Sequence, residues 1–161
     1  MALRAHLGAA LALALTLAVG CTPSPDRLSS PARNFYYVIE DGSQQTEYLK
    51  LKEAERQDFL EKLGLWQQWT ELSPEERDAA LSGDIKVGYK EFTAHMAWGL
   101  PADVRMAEAR GRSVAYQTFI RCTSGPKKGQ YVRQNLECDG TSSEVQLAIE
   151  NGIVTEIKYL D

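Results

Sequence analysis

Histidine is nearly absent from this chain. There are two, His6 and His95, and only His95 lies beyond the N-terminal apolar stretch. A Ser–His–acid triad or a Cys–His pair would therefore have to be built on His95. It sits beside Met96 in a segment read as helix, with no nucleophile motif near it, so a surface or half-buried histidine is the plainer reading. A zinc site is a weak alternative for Cys122 and Cys138, which are spaced far apart and have only His95, the one histidine beyond that stretch, to join them. A phosphate-cradling glycine loop and a calcium loop are missing too. Acids such as Glu75 and Glu76 are accounted for by capping and helix-dipole effects. The expectation is a chain without catalytic residues, metal or dissociable cofactor: not an enzyme. Also lacking is a second long apolar run. After residue 20 nothing approaches the length needed to cross a bilayer.

What is present begins at the N-terminus. A short positive start (Met1, Arg4) precedes an apolar stretch from about Leu7 that ends Leu17-Ala18-Val19-Gly20-Cys21. This is the pattern of a secretory signal peptide, too short to serve as a spanning helix. The cysteine directly after a small residue resembles a bacterial lipobox. That resemblance implies cleavage after residue 20, lipidation of Cys21, and a covalent lipid as the only attached group. Two or more acyl chains anchor stably where one is marginal. Thr22, where an Asp favours inner-membrane retention, points to the outer membrane, facing the periplasm. Residues 22–34 are rich in Pro and Ser and read as a flexible linker. Fully stretched they reach on the order of 40 Å, enough to lift a domain clear of the headgroups.

About 127 residues remain, enough for one domain with a real core. Cys122 and Cys138 are the remaining cysteines. In an exported chain an even pair is most simply a disulfide, and closing such a loop contributes about 3 kcal/mol.

The formal net charge of −4 is unevenly spread. Residues 34–84 and 134–161 are acidic. Residues 105–133 hold Arg105, Arg110, Arg112, Arg121, Lys127, Lys128 and Arg133 against Glu108. An exported acidic chain is a poor match for nucleic acid. The basic segment could meet anionic lipid headgroups, an acidic protein surface, or the acidic segments of its own fold.

Phe35-Tyr36-Tyr37-Val38-Ile39 has strand propensity and is closed by the turn pair Asp41-Gly42, with Tyr48, Leu49 and Leu51 in a hairpin or extended lead-in. A helix is expected over 53–63 with Phe59, Leu60 and Leu63 as its apolar stripe, stopped by Gly64. Trp66 and Trp69 fit core packing better than a peptide groove. Ser73-Pro74-Glu75-Glu76 is a helix start with a capping box, and Ser82-Gly83 its end. A third helix covers about Tyr89–Ala97, ended by Gly99 and Pro101. Strands follow at 114–121, around 145–149, and at 153–159, the last two joined by Asn151-Gly152, a type I′ signal.

Several stretches together carry a family likeness: Ile85-Lys86-Val87-Gly88-Tyr89-Lys90-Glu91-Phe92, then Ala97-Trp98-Gly99-Leu100-Pro101, then Val114-Ala115-Tyr116, and last Ile149 to Ile157 around Asn151-Gly152. Over roughly residues 84–160 the order resembles the small outer-membrane lipoprotein family that includes BamE, also called SmpA or OmlA. Val114 stands where the family often has a Trp, two places before the strand tyrosine, and the loop between the first two strands is long and carries the cysteine pair. The fold class expected is α+β, with two or three N-terminal helices on a three-stranded antiparallel β-meander. The layout is a leader (1–20), a lipidated cysteine with linker (21–34), and one domain (35–161) made of a helical extension (35–83) and a BamE-like part (84–161). The resemblance implies a lipid-anchored envelope protein acting by protein–protein binding, as an accessory in outer-membrane protein assembly or envelope integrity. The alternative is an inhibitor or ligand-binding module of the same fold. The candidate recognition residues are Lys127, Lys128 and Arg133, in the loop 123–142.

Overall fold

The computed structural model describes residues 23–109 and 111–160. Cys21, with the apolar stretch before it, lies outside the described residues. Among those described, six α-helices precede a five-stranded antiparallel sheet. The class is α+β, but the expectation of two or three helices on three strands is overturned.

The first correction concerns Phe35–Ile39. It is helical, within and just after α1 (Ala32–Val38). Phe35, Val38 and Ile39 fall three and four apart, on one face of a helix, and each is at most 4% exposed. The side chain of Asn34 donates to the carbonyls of Ala80 (3.2 Å) and Met96 (2.8 Å). Those are last-turn carbonyls of two other helices, which have no partner inside their own helix. Next comes α2 (Gly42–Lys50), not a hairpin; the Asp41 carboxylate caps it by accepting from the Ser43 and Gln44 amides, both at 2.9 Å. Tyr48 is fully buried and donates to Ala32 O at 3.1 Å. The expected linker is also corrected. A 3-10 turn covers Pro25–Arg27, and Leu28 is buried in the helical core.

The remaining helices are α3 (Glu53–Lys62), α4 (Leu65–Thr70), α5 (Pro74–Ser82) and α6 (Glu91–Trp98). Gly64 (φ 72) separates α3 from α4, a left-handed position that a side chain would strain. The capping box of α5 forms as the sequence indicates. Glu76 does more than cap. One carboxylate oxygen accepts from Ser73 N at 2.9 Å and the other from Lys90 N at 2.8 Å, so one buried side chain ties the starts of α5 and α6 together.

Two strands were not anticipated: β1 (Asp103–Ala109) and the short β3 (Tyr131–Val132). With β2 (Arg112–Cys122), β4 (Ser142–Glu150) and β5 (Ile153–Leu160) the order is β1-β2-β4-β5, and β3 extends the β1 edge of β2. Asn151 (φ 50) and Gly152 (φ 74) close the β4–β5 hairpin. Phe119 pairs with Val145, Gln117 with Leu147, and Ala115 with Ile149, which sets one face of the sheet toward the helices. Two core clusters result. Phe35, Tyr48, Leu60 and Trp69 centre the helical one; Phe119, Val145, Leu147 and Val154 centre the other. Helix α6 serves both, giving Phe92 and Met96 to the first and Ala94 and Trp98 to the second.

Candidate functional site: a cleft between helices and sheet

The end of α6 sets the floor of a cleft. Gly99 turns the chain at φ 78, leaving Trp98 as the last helical side chain. Its indole Nε1 donates to Gly83 O at 3.1 Å, the carbonyl beyond α5. Its ring lies parallel to Tyr131 (centroids 5.0 Å apart, 15°) and edge-on to Phe119 at 5.3 Å. Tyr131 is held in place by β3, whose pairing with Ile120 and Arg121 fixes its register.

Above this floor is a cleft of about 1110 Å³. One wall is helical: the turn at Ser24–Asp26, Arg33 and Tyr37 of α1, Glu40, and the segment Leu81–Ile85 after α5. The other comes from the sheet and its long loop: Arg121, Lys127, Tyr131, Arg133, Glu137 and Tyr159. The walls differ in sign. Asp26, Glu40 and Asp84 stand on the helical side, with Arg33 among them; Arg121, Lys127 and Arg133 stand on the sheet side, with Glu137 among them. Among the described residues no ion pair crosses the space. Lys127 reaches Glu137 within its own loop at 3.7 Å, and Arg112 pairs with Glu150 at 2.7 Å. The basic segment therefore does not neutralise the acidic helices.

Two phenols face the cleft as neutral groups. Burial pushes Tyr131 up to about 12, against a smaller lowering by Arg121. Burial also raises Tyr37, with the carboxylate of Asp26 adding to the effect. A phenol that stays protonated is a hydrogen-bond donor across the physiological range.

The disulfide frames the sheet-side wall. Cys122 and Cys138 are joined, with Cα atoms 5.3 Å apart, and both are buried. Around it the two ends of the loop are pressed together. A Cβ at Gly125 would fall 2.5 Å from Asp139 O, and one at Gly140 would fall 2.7 Å from Ser124 Oγ. Thr123 N donates to Thr141 O at 2.8 Å, and Thr141 N to Ser124 Oγ at 2.8 Å. The loop is thus held as a shaped projection.

Of the residues singled out by sequence, Lys127 and Arg133 line the cleft, whereas Lys128 is exposed on the loop away from it. Cys21 is outside the described residues. His95 lies apart from the cleft, within α6 and facing β2. With Nε2 protonated it donates to Gln117 Oε1 at 2.9 Å, and Gln117 in turn donates to Glu91. Trp98, Tyr131, Tyr37 and Arg121 were missed as cleft residues. The Trp98-Gly99 pair was the available signal, since an aromatic directly before a helix-ending glycine is fixed in direction by that turn. Geometrically, an open space with an aromatic floor, neutral phenol donors and walls of opposite charge suits an extended polypeptide carrying both signs of charge. No protein-family model, curated protein or solved structure matches the chain.

Proposed function

We propose that this chain is a lipid-anchored protein of the bacterial envelope that works by binding a segment of another protein in the cleft between α1, α6 and the disulfide loop. The observation that carries the binding reading is the pair of oppositely charged walls that leave one another unpaired over a stacked Trp98–Tyr131 floor. Desolvated aromatics with charged rims are the composition of protein recognition sites. The anchor reading rests on Cys21 and the apolar stretch before it. A role beside outer-membrane protein assembly, as the BamE likeness of residues 84–160 suggests, is the partner class we favour. An inhibitor on the same fold is the other outcome the test below can return.

The test is photo-crosslinking in intact cells from a benzophenone side chain replacing Tyr37 or Tyr159, both exposed at the cleft rim. The expected result is one envelope protein captured from both positions, and none from Leu81→benzophenone once Arg121→Glu is added. Barrel-assembly proteins among the products support the assembly role; a single hydrolase supports the inhibitor. Equal, diffuse labelling from the cleft and from Glu47 on the far side of α2 would refute the cleft. Separately, Cys21→Ser should move the protein out of the membrane fraction. Retention of that variant, with no acyl mass on the wild type, would remove the anchor.

A further inference from the structure

The disulfide loop carries a feature that cleft binding does not use. Leu136 is 90% exposed, at the tip of the 3-10 turn Asn135–Cys138. Exposed leucines are common singly, but this one is held out by structure on both sides. The Gln134–Glu137 box closes the turn, Ser142 Oγ donates to Asn135 Oδ1 at 3.0 Å, and Cys138 is bonded behind it. Lys127, Lys128 and Arg133 belong to the same loop, and the Lys127 ammonium and the Arg133 amide both reach Glu137, the residue that follows Leu136. Two acids share the loop, Glu137 and Asp139. Glu137 is occupied by Lys127 at 3.7 Å and by the amides of Arg133 (3.1 Å) and Gln134 (2.9 Å). Lys128 and Arg133 have no salt-bridge partner among the described residues.

Position supplies the rest. The turn Ser24–Asp26 borders the same cleft as Lys127 and Arg133. Cys21 precedes Ser24 by three residues, and three residues in any conformation span at most about 11 Å. A lipid on Cys21 therefore brings the rim of the cleft to the bilayer instead of holding the domain far from it. Screening at physiological salt leaves charge attraction a reach of about 8 Å, which makes that closeness matter.

We propose that this loop is a second membrane contact, laid on an anionic phospholipid surface, with Leu136 entering the interface and Lys128 and Arg133 against headgroup phosphates. This rests on the lipid-anchor reading of Cys21. Each cation at such a surface is worth about fivefold in binding and a buried leucine somewhat more, together on the order of a hundredfold. That is too weak to recruit a free protein and enough to orient a tethered one, because the tether makes the contact intramolecular. The consequence for the cleft is that it opens alongside the membrane.

The experiment uses the full-length protein, expressed with its leader and extracted from membranes. Its mass is measured first. It is then placed at saturating lipid on vesicles of phosphatidylcholine alone or with one third phosphatidylserine, and amide exchange is followed. The expected result is at least fivefold slower exchange over 127–137 on the anionic vesicles, reversed by Leu136→Asp with Lys128→Glu and Arg133→Glu, and by 1 M salt, while α3 is unchanged. Leu136→Asp alone keeps the test interpretable if the triple variant misfolds, since Leu136 makes no core contact. Equal exchange on the two vesicles overturns the proposal, as does slowing produced instead by a soluble acidic peptide at the same charge concentration. A product with no acyl mass that still shows the slowing removes the tether and leaves the loop contact standing; acyl mass with equal exchange does the reverse.

Discussion

The helical layer and the sheet reach similar burial by different means. The helices run from six to ten residues, too short to persist alone in water. They are held by side chains: Phe35 between Trp66 and Trp69 (6.0 and 5.8 Å), Tyr48 against Phe59 at 5.9 Å, and polar groups that reach the ends of neighbouring helices. The sheet is held by backbone pairing, an aliphatic core of Val145, Leu147, Ile149 and Val154, and one covalent bond. The first half therefore depends on side-chain contacts alone; the second has a backbone ladder that no single substitution removes, although truncating its buried Phe119, Val145, Leu147 or Val154 would still cost a few kcal/mol. The cleft lies between the two, and α6 belongs to both. The cleft at this seam has one wall fixed by strand pairing and the other by side-chain packing between helices.

The most damaging change should be the one that strikes the seam. Trp98→Ala removes the stack on Tyr131, the edge contact with Phe119 and the bond to Gly83 O. Truncating a buried tryptophan costs about 4 kcal/mol. Urea unfolding followed by circular dichroism should show one transition at a much lower midpoint. Two separate transitions would mean that the halves are independent, and the comparison would have to be redrawn as two domains. Next is the cross-link. Replacing Cys122 and Cys138 together by Ala should cost about 3 kcal/mol. Native-state amide exchange should then quicken in the loop 123–142 well before the helical layer. Uniform quickening would show that the disulfide supports the whole molecule and not the sheet-side wall.

Sequence reading was sound where structure is dictated locally. Ser73 with Glu76, Gly64, Gly83 and Gly99 mark helix ends through hydrogen bonds and φ values that involve only near neighbours. Asn151-Gly152 marks its hairpin for the same reason. It failed where distant partners decide. Phe35–Ile39 has strand propensity, and five residues cannot separate a period of two from one of three to four. What makes it helical is burial against Trp66, Trp69 and Met96, with Asn34 reaching carbonyls far along the chain. Strand β1 is an edge whose Val104 and Met106 stay exposed, so it has no buried face to announce it. Its existence follows from pairing with β2. The linker was misread because Leu28, a single apolar residue among Pro and Ser, has its pocket in another part of the fold. The same holds for the cleft. Lys127 and Arg133 stood out as charges, but Tyr37, Trp98 and Tyr131 meet only in three dimensions.

The smallest effect sharpens the comparison most, because it isolates one polar tie inside the side-chain-held half. Glu76 is 8% exposed. Burial pushes its carboxyl up, but the amides of Lys90 and Ser73 and the Ser73 hydroxyl outweigh that and leave it below the ordinary 4.5. A carboxyl lowered in the folded state contributes stability that is complete above its unfolded value and is lost as pH falls through the folded one. Glu76→Gln keeps the shape and one acceptor but turns an NH₂ toward an amide donor, which should cost about 2 kcal/mol at pH 7. Below about pH 4.5 the wild type should lose that advantage while the variant does not, so the two stability curves converge as the solution is acidified. Asp41 and Glu75, lowered by their own hydrogen bonds, titrate in both proteins and cancel in the difference. Curves that stay parallel from pH 7 to pH 3 would mean that the Ser73–Glu76–Lys90 tie carries no charge-dependent stability. The start of α6, and with it the helical wall of the cleft, would then rest on the packing of Phe92 and Met96 and on its backbone ties to the β4–β5 hairpin, Glu91 N to Gly152 O and Val154 N to Tyr89 O, both at 2.8 Å.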